Sequence, residues 1–205
     1  MGDTRERILT TALQLFAADG YEAVSVSDIA GALGMTKGAL YKHFANKRAI
    51  FDSIIARMEQ QDAGQAEAHD LPEGAVEEMP EAYKAVSIRD LVDFSKAMFR
   101  SWTQDEFSSQ FRRMLTLEQF RSEEMGRLYQ QYLCAGPLGY VTDLLAGLGY
   151  SQPREKAVAF YAPMYLLYGV YDGAEDKDAV ISAADTALEA AGRQLENEKT
   201  EERNG

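Results

Sequence analysis

Apolar residues recur at helical spacing along almost the whole chain. Near the N-terminus Ile8, Leu9, Ala12, Leu13 and Phe16 share one helical face, and Gly20 ends that segment. No segment alternates apolar and polar residues in the way that predicts a strand. The pattern therefore predicts an all-α protein.

Two short helices with clear start signals follow the first one. The run Ser25-Val26-Ser27-Asp28 has the form of a capping box, and Gly34 ends the helix after about two turns. Thr36 caps the next short helix, which is expected to run to Phe44, and Asn46 caps a longer one. Two short capped helices joined by a tight turn predict a helix-turn-helix.

The second short helix has few apolar residues and therefore a large outer face. Leu40 and Phe44 lie four residues apart and can anchor it. The remaining positions then face outward, where a DNA major groove would meet them. Gly38 and Ala39 are small enough for the backbone to approach base edges closely.

The pattern divides the chain into four parts. Residues 1–48 form the helix-turn-helix DNA-binding domain, with a linking helix at about 47–61. Residues 62–86 carry seven acids and only one lysine, so we expect an acidic connection. Residues 87–195 return to helical periodicity and are expected to form a second helical domain, for which we give below the grounds for a regulatory and dimerisation role. Residues 196–205 are polar and predicted to be disordered.

Charge is distributed unevenly. The 205 residues carry a formal net charge of −12, which at first argues against DNA binding. Residues 1–60 are neutral, with seven bases and seven acids, so the whole excess lies beyond them. Between Thr36 and Arg48 there are four basic residues and no acid. This local patch suits the phosphate backbone, although a solvated helix face would give the same pattern.

The sequence gives little support for a membrane protein, a secreted protein or an enzyme. No apolar run reaches the ~20 residues of a membrane span, and the N-terminus lacks the blocks of a signal peptide. Cys134 is the single cysteine, so no internal disulfide or cysteine-based zinc site is expected. No phosphate loop, nucleophile elbow or metal-ligand spacing is present. We expect no catalytic residue, metal or cofactor, and a cytoplasmic location.

The order of residues in the helix-turn-helix resembles the TetR family of transcriptional regulators. The resemblance runs from Gly20 to Phe51, above all in Ser25-Val26-Ser27-Asp28-Ile29-Ala30, in Gly34 to Phe44 and in Asn46-Lys47. It implies that the positions approaching base edges are Ser27, Lys37, Gly38, Ala39 and Tyr41. It implies that the positions gripping phosphates are Ser25, Thr36, Lys42, His43 and Lys47.

The last two helices are predicted to form a homodimer contact. Residues 154–171 are apolar around most of the helix, and the last helix presents small residues, so both need cover. A partner subunit would provide it, or the monomer's own helices would. The predicted interface positions are Val158, Phe160, Leu167, Tyr168, Val180, Ala184, Ala187, Leu188, Ala191 and Leu195.

A small-molecule effector is implied chiefly by the resemblance. Aromatic and methionine side chains are frequent in residues 98–171, and they line either an apolar pocket or the core. The candidate lining residues are Phe99, Trp102, Phe107, Phe111, Met114, Tyr140, Tyr161, Met164 and Tyr165.

The sequence thus predicts a ligand-responsive regulator that binds a palindromic double-stranded operator as a dimer. The resemblance favours a repressor over an activator. An all-helical small-molecule-binding protein without specific DNA affinity is the alternative. Steep weakening of DNA binding with rising salt would distinguish the two.

Overall fold

The computed structural model describes residues 2–69, 71–72 and 79–204, and within these ranges the chain forms α-helices and no strand. The all-α prediction is confirmed. None of the described helices is both long and apolar enough to cross a bilayer. The described helices are α1 Gly2–Asp19, α2 Val26–Ala32, α3 Lys37–Tyr41, α4 Lys47–Ala68, α5 Pro80–Ala85, α6 Ile88–Gln104, α7 Glu106–Glu118, α8 Glu123–Leu133, α9 Ala135–Gly147, α10 Pro153–Gly173 and α11 Lys177–Asn204.

The first of two structural units comprises the residues up to Asp62 together with Asp105–Tyr129. In it α1 packs on α7 and α2, and α2 packs on α3. The apolar face that the sequence predicts for α1 is buried, as are Ile29, Leu40 and Phe51. Asp105 caps α7 by accepting a hydrogen bond from the backbone N–H of Ser108 at 2.9 Å. The first unit therefore includes α7, which lies outside the predicted domain boundary at residue 48.

The second unit comprises Ala63–Gln104 and the residues from Gln130 onward. Here α10 packs on α9 and α11, and α11 packs on α6. Leu91, Leu144, Phe160 and Leu188 lie in its hydrophobic core. Gly192 permits a close approach of α11 to α6, because a Cβ atom there would lie 2.6 Å from Val92. Burial of these faces stabilises the helices beyond their intrinsic propensity.

The structure corrects two predicted boundaries. The tail predicted as disordered continues α11 as far as Asn204. It is held because Lys156 bonds Glu198 and the Lys199 ammonium donates to the carbonyl of Gly149.

The acidic connection at residues 62–86 is also partly helical, since α4 extends to Ala68 and α5 occupies Pro80–Ala85. Leu71 and Tyr83 are buried in the core of the second unit, so this region is anchored by apolar side chains despite its acidity. Residues 70 and 73–78 of the predicted connection lie outside the described residues.

Candidate nucleic-acid interface

Helix α2 begins at the capping box that the sequence predicts. The Ser25 hydroxyl accepts a hydrogen bond from the Asp28 backbone N–H at 3.2 Å. The Asp28 carboxylate in turn accepts from the Ser25 hydroxyl at 2.6 Å and from the Ser25 N–H at 2.8 Å. The hydrogen bonds from Ser25 hold the pKa of the Asp28 carboxyl below its usual value. The start of α2 is therefore fixed locally.

The turn between α2 and α3 depends on Gly34. Its φ is +65°, in the left-handed region that glycine tolerates best. The N–H of Met35 donates back to the carbonyl of Ala30 at 3.0 Å, which closes the end of α2. Thr36 then caps α3 by accepting from the N–H of Ala39 at 3.1 Å. The turn thus sets the start of α3.

Helix α3 is shorter than predicted and ends at Tyr41. The backbone N–H of Phe44 still donates to the carbonyl of Leu40 at 3.1 Å, so the next turn remains tight. Leu40 and Phe44 are buried and anchor the segment, as the four-residue spacing predicts. Tight anchoring on one side leaves the opposite side of α3 facing solvent.

That outer side carries the predicted base-reading residues. Lys37, Gly38 and Tyr41 are exposed, and Ala39 is half-buried. A Cβ atom added to Gly38 would meet nothing within 4 Å, so this surface is open to a close ligand. The Lys37 ammonium lies 5.7 Å from the centre of the Tyr41 ring. The outer side of α3 therefore has a small residue at Gly38 and a positive charge at Lys37.

The remaining predicted DNA contacts surround α3. Ser25, Ser27, Thr36 and Lys42 are exposed, and the His43 side chain is half-buried. These side chains are therefore accessible to a ligand, and their division into base-reading and phosphate-gripping residues stays a prediction.

Arg5 supports this region and was missed by the sequence reasoning. Its guanidinium donates to the backbone carbonyl of His43 at 2.6 Å and lies 4.2 Å from the centre of the Phe44 ring. It thereby ties α1 to the residues that follow α3. Spacing along the sequence carries no signal for this contact, because it joins positions 38 residues apart.

Lys47 makes partners within the chain. Its ammonium donates to the carbonyl of Tyr21 at 2.7 Å, lies 4.3 Å from the centre of the Tyr21 ring and is 3.8 Å from the Glu22 carboxylate. The Lys47 side chain is only 23% exposed. A cation in the first turn of α4 opposes the helix dipole, and these loop contacts offset that cost. The phosphate contact expected of Lys47 stays a prediction.

The Tyr21 ring joins two helices of the first unit. Its ring lies 5.1 Å from that of Phe16 in α1 and 4.9 Å from that of Phe51 in α4. Burial raises the pKa of the Tyr21 hydroxyl. The loop that precedes α2 is therefore held by aromatic packing as well as by Lys47.

Comparison with known proteins places this arrangement in a family. The family model described as bacterial regulatory proteins, tetR family, matches residues 8–54. The helix-turn-helix region of the chain is therefore of the TetR-family type. Over 52 residues it is 44% identical to the HTH-type transcriptional regulator AcrR of Shigella flexneri, covering 25% of this chain and 24% of AcrR. Over 55 residues it is 46% identical to the HTH-type transcriptional repressor BepR of Brucella suis, covering 27% of this chain and 26% of BepR.

Solved structures resemble the fold of nearly the whole chain. The complex of SmeT with triclosan has a TM-score of 0.64 at 18% identity, covering 92% of this chain and 90% of that one. SmeT is the repressor of a multidrug efflux pump of Stenotrophomonas maltophilia. At this identity the likeness shows the fold alone. The sequence matches themselves span only about a quarter of the length of the curated TetR-family relatives.

In the second unit, most predicted interface residues face the unit's own core. The reason is that α6, α9 and α11 pack on α10, and that α6 and α10 pack on α11. Leu167, Ala187 and Ala191 are half-buried, and Val158 is 47% exposed. The other six predicted interface positions are buried within the chain itself: Phe160, Tyr168, Val180, Ala184, Leu188 and Leu195. For these six the monomer's own helices supply the cover, which was the alternative to a partner subunit, and a dimer contact at the predicted positions stays a prediction.

A different stripe of α10 is apolar and exposed. Val158, Tyr165, Leu166 and Val170 are 44–66% exposed. Their spacing of seven, eight and twelve residues from Val158 places them on one side of the helix. The sequence pattern identified α10 as apolar around most of its circumference but did not show which side faces outward.

The nine predicted pocket residues are divided between the two units. Phe107, Phe111 and Met114 are buried in the first unit. Among the six in the second unit, Phe99, Trp102 and Met164 are buried, and Tyr140 is half-buried beside the rings of Phe94 and Tyr83. Tyr161 and Tyr165 line a cavity of about 480 Å³. The pocket formed by all nine residues remains a prediction.

Proposed function

We propose that the protein is a ligand-responsive transcriptional repressor, which binds a palindromic operator as a dimer and leaves it when a small molecule binds. The observation that carries this proposal is the exposed cationic side of α3. Lys37, Gly38 and Tyr41 project outward from a helix that Leu40 and Phe44 anchor in the core. Such a helix can enter a major groove without disturbing the fold that supports it.

Base reading in this proposal comes from the outer side of α3. The Lys37 ammonium can donate to guanine O6 or N7, and the Ala39 methyl suits a thymine methyl. Ser27 at the start of α2 adds a short hydroxyl. Phosphates are held by Ser25, Thr36, Lys42 and His43, because hydroxyls and cations near helix N-termini suit phosphate oxygens. These contacts fix the register in which α3 lies in the groove.

A dimer carries two recognition helices, one from each subunit. We place its contact on the exposed stripe Val158, Tyr165, Leu166 and Val170 of α10, because such a stripe is unfavourable in water unless a partner covers it. Two recognition helices ~34 Å apart, or a multiple of that, match a palindromic operator. The proposal gives the protein no catalytic role and places it in the cytoplasm with the DNA.

Repression and release follow from the same proposal. BepR is named a repressor, and SmeT was solved with triclosan, which supports a repressor that answers to a small molecule. Helix α4 is continuous from the helix-turn-helix into residues of the second unit. A ligand that favours one arrangement of α4 would change operator affinity, provided that it binds the two states with different affinities.

Selection of bound DNA from a random pool tests the proposal. We expect a palindrome to emerge, with affinity that falls steeply as salt rises. Lys37→Ala should weaken binding and alter the selected sequence, whereas Lys84→Ala in α5, an exposed lysine outside the helix-turn-helix, should change neither. A pool that yields no enriched sequence at low salt would contradict DNA reading and favour a ligand-binding protein without operator affinity.

A further inference from the structure

Arg48 lies in the first turn of α4 and is the last of the four basic residues in the stretch that begins at Thr36. Its side chain is 53% exposed. The Asn46 side chain caps this helix by accepting a hydrogen bond from the backbone N–H of Ala49 at 2.8 Å. Arg48 directly follows Lys47, a predicted phosphate contact, so it adjoins the surface that the proposed function assigns to DNA.

Two carboxylates of the first unit hold the Arg48 guanidinium. The Nε–H of Arg48 donates to the Asp52 carboxylate, one turn further along α4, at 2.6 Å. The two terminal nitrogens meet the two carboxylate oxygens of Glu124 in α8, with Nη1 2.9 Å from Oε2 and Nη2 2.8 Å from Oε1. Arginine uses this bidentate geometry for phosphate as well as for carboxylate. Glu124 therefore occupies the edge of the guanidinium that a phosphate group would bind.

The fold brings negative charge to a stretch that is purely basic in the sequence. Glu124 lies 76 residues from Arg48 along the chain, so no acid appears between Thr36 and Arg48. In the folded unit the charge of Asp52 and Glu124 together exceeds that of Arg48. The Glu124 side chain is 40% exposed, and exposed ion pairs contribute little free energy. A phosphate group can therefore displace Glu124 at low cost.

We propose that Arg48 is a further phosphate-binding residue and that the Glu124 carboxylate competes with the DNA backbone for its guanidinium. In the free protein Glu124 takes the place of a phosphate group. Asp52 keeps its bond to the Nε–H and holds the guanidinium in place in both states. The competition lowers the affinity for every duplex, so base contacts decide more of the binding. This inference rests on the proposed function, because it assumes that the protein binds DNA.

Removal of the Glu124 charge tests the competition. Affinity is measured over a range of salt concentrations for two duplexes of equal length, one selected from the random pool and one of unrelated sequence. Glu124→Gln releases both terminal nitrogens of Arg48 for a phosphate. We expect about fivefold tighter binding at about 50 mM salt and a slope of log affinity against log salt that steepens by about 1. Both duplexes should show the gain, because phosphate contacts carry no sequence information.

Three further variants separate an Arg48 contact from a general effect of charge or fold. Glu123→Gln removes the same charge one residue earlier in α8, from a side chain that is 89% exposed and pairs with Arg127. Because salt screens exposed charges, it should leave affinity within about twofold of the parent value. Arg48→Gln added to Glu124→Gln should abolish the gain, whereas Glu124→Ala should reproduce it. Unfolding midpoints close to that of the parent protein show that the variants retain the fold.

Four results would overturn the proposal. The first is unchanged or weaker binding by Glu124→Gln, which is what an ion pair with a purely structural role predicts. The second is a gain that persists when Arg48→Gln is added. The third is an equal gain in Glu123→Gln, and the fourth is a gain restricted to the selected duplex.

Failure of this inference is distinguishable from failure of the proposed function. A parent protein that binds the selected duplex, with the same salt slope in Glu124→Gln, would overturn the inference alone. A pool without any enriched sequence, together with a gain of Glu124→Gln on the unrelated duplex, would support the inference and contradict operator reading. Absence of binding to any duplex by the parent and by Glu124→Gln at about 50 mM salt would overturn both.

Discussion

The buried carboxylate of Glu118 accepts a hydrogen bond from the backbone N–H of Tyr21 at 3.2 Å, across 97 residues of sequence. The same carboxylate pairs with Arg121 at 3.1 Å, and its side chain is 2% exposed. Gly20 makes this approach possible, since a Cβ atom there would lie 2.6 Å from the Glu118 carboxylate. The loop before α2 is therefore tied to the end of α7.

Replacement of Glu118 tests how much this tie contributes to stability. Glu118→Ala leaves the Tyr21 N–H without its acceptor in a dry site, so we expect a loss of about 1–3 kcal/mol of unfolding free energy. Urea denaturation measures it. The matched control is Glu123→Ala, whose carboxylate is 89% exposed and pairs with the exposed Arg127, and it should change stability by less than about 0.5 kcal/mol. Equal effects of the two variants would contradict a structural role for Glu118.

Substitution of Gly38 is expected to change stability and DNA affinity in opposite directions. An added methyl group meets nothing within 4 Å in the free protein, so Gly38→Ala should raise stability by about 0.5–1 kcal/mol through helix propensity. On the DNA that same methyl occupies space that a base edge needs, so operator affinity should fall. Gly31→Ala in α2 is equally unhindered and should raise stability without weakening binding. Thermal unfolding and DNA titration of both variants provide the comparison, and unchanged affinity of Gly38→Ala would argue against close contact there.

Lys42 and Lys47 are both predicted phosphate contacts, but the structure gives them different surroundings. Lys42 is exposed, so Lys42→Ala should lower the slope of log affinity against log salt by about 1 and leave stability unchanged. Lys47→Ala removes the donor to the Tyr21 carbonyl, so it should cost about 1–2 kcal/mol of stability. Salt titrations of DNA binding together with urea denaturation distinguish the roles. A Lys47 variant that loses salt slope but no stability would show a phosphate contact alone.

The capping box at Ser25 predicts a pH dependence. Hydrogen bonds from Ser25 lower the folded-state pKa of Asp28, so they stabilise the fold above the ordinary carboxyl pKa. This contribution is lost as pH falls through the lowered folded-state pKa. Ser25→Ala should return the pKa of Asp28 towards its usual value, as seen by NMR titration of the side chain. Asp90, whose pKa is lowered by Ser87 in the same way, should keep its value in that variant.

The exposed stripe of α10 predicts the oligomeric state. Leu166 is 66% exposed, and Leu166→Glu would place a charge in the proposed dimer contact. We expect the parent protein to sediment at about twice 22.8 kDa at micromolar concentration and the variant to shift towards the monomer. Phe120→Glu, at a residue 92% exposed between α7 and α8, is the control and should remain dimeric. A parent mass near 22.8 kDa would remove the basis for a dimer.

Local signals in the sequence predicted much of the geometry of the candidate DNA-reading site. The capping residues Ser25 and Thr36, the turn at Gly34 and the anchors Leu40 and Phe44 act within a few residues of one another, so their order predicts their geometry. Periodicity likewise predicts that α10 and α11 are helical.

Long-range partners left no such signal. Nothing near Lys47 in the sequence shows that its ammonium returns to Tyr21, and nothing near Glu118 points to the same loop. The side of α10 that faces outward depends on where α9 and α11 pack, which periodicity alone does not determine. Of the predicted interface positions in α10, Phe160 and Tyr168 therefore lie on its buried side, whereas Val158 lies on its exposed side.

The first unit is built from two separate segments of the chain, and this limits how the protein can be engineered. From the sequence, residues 1–48 would be chosen as the segment to transfer when the proposed DNA-binding domain is fused to another ligand-binding domain. However, α1 packs on α7, Gln14 bonds Glu106 and Tyr21 bonds Glu118, so a graft that ends at residue 48 leaves these partners behind. A functional chimera must carry Asp105–Tyr129 along with the reading head, or must redesign the surface of α1 for its new host.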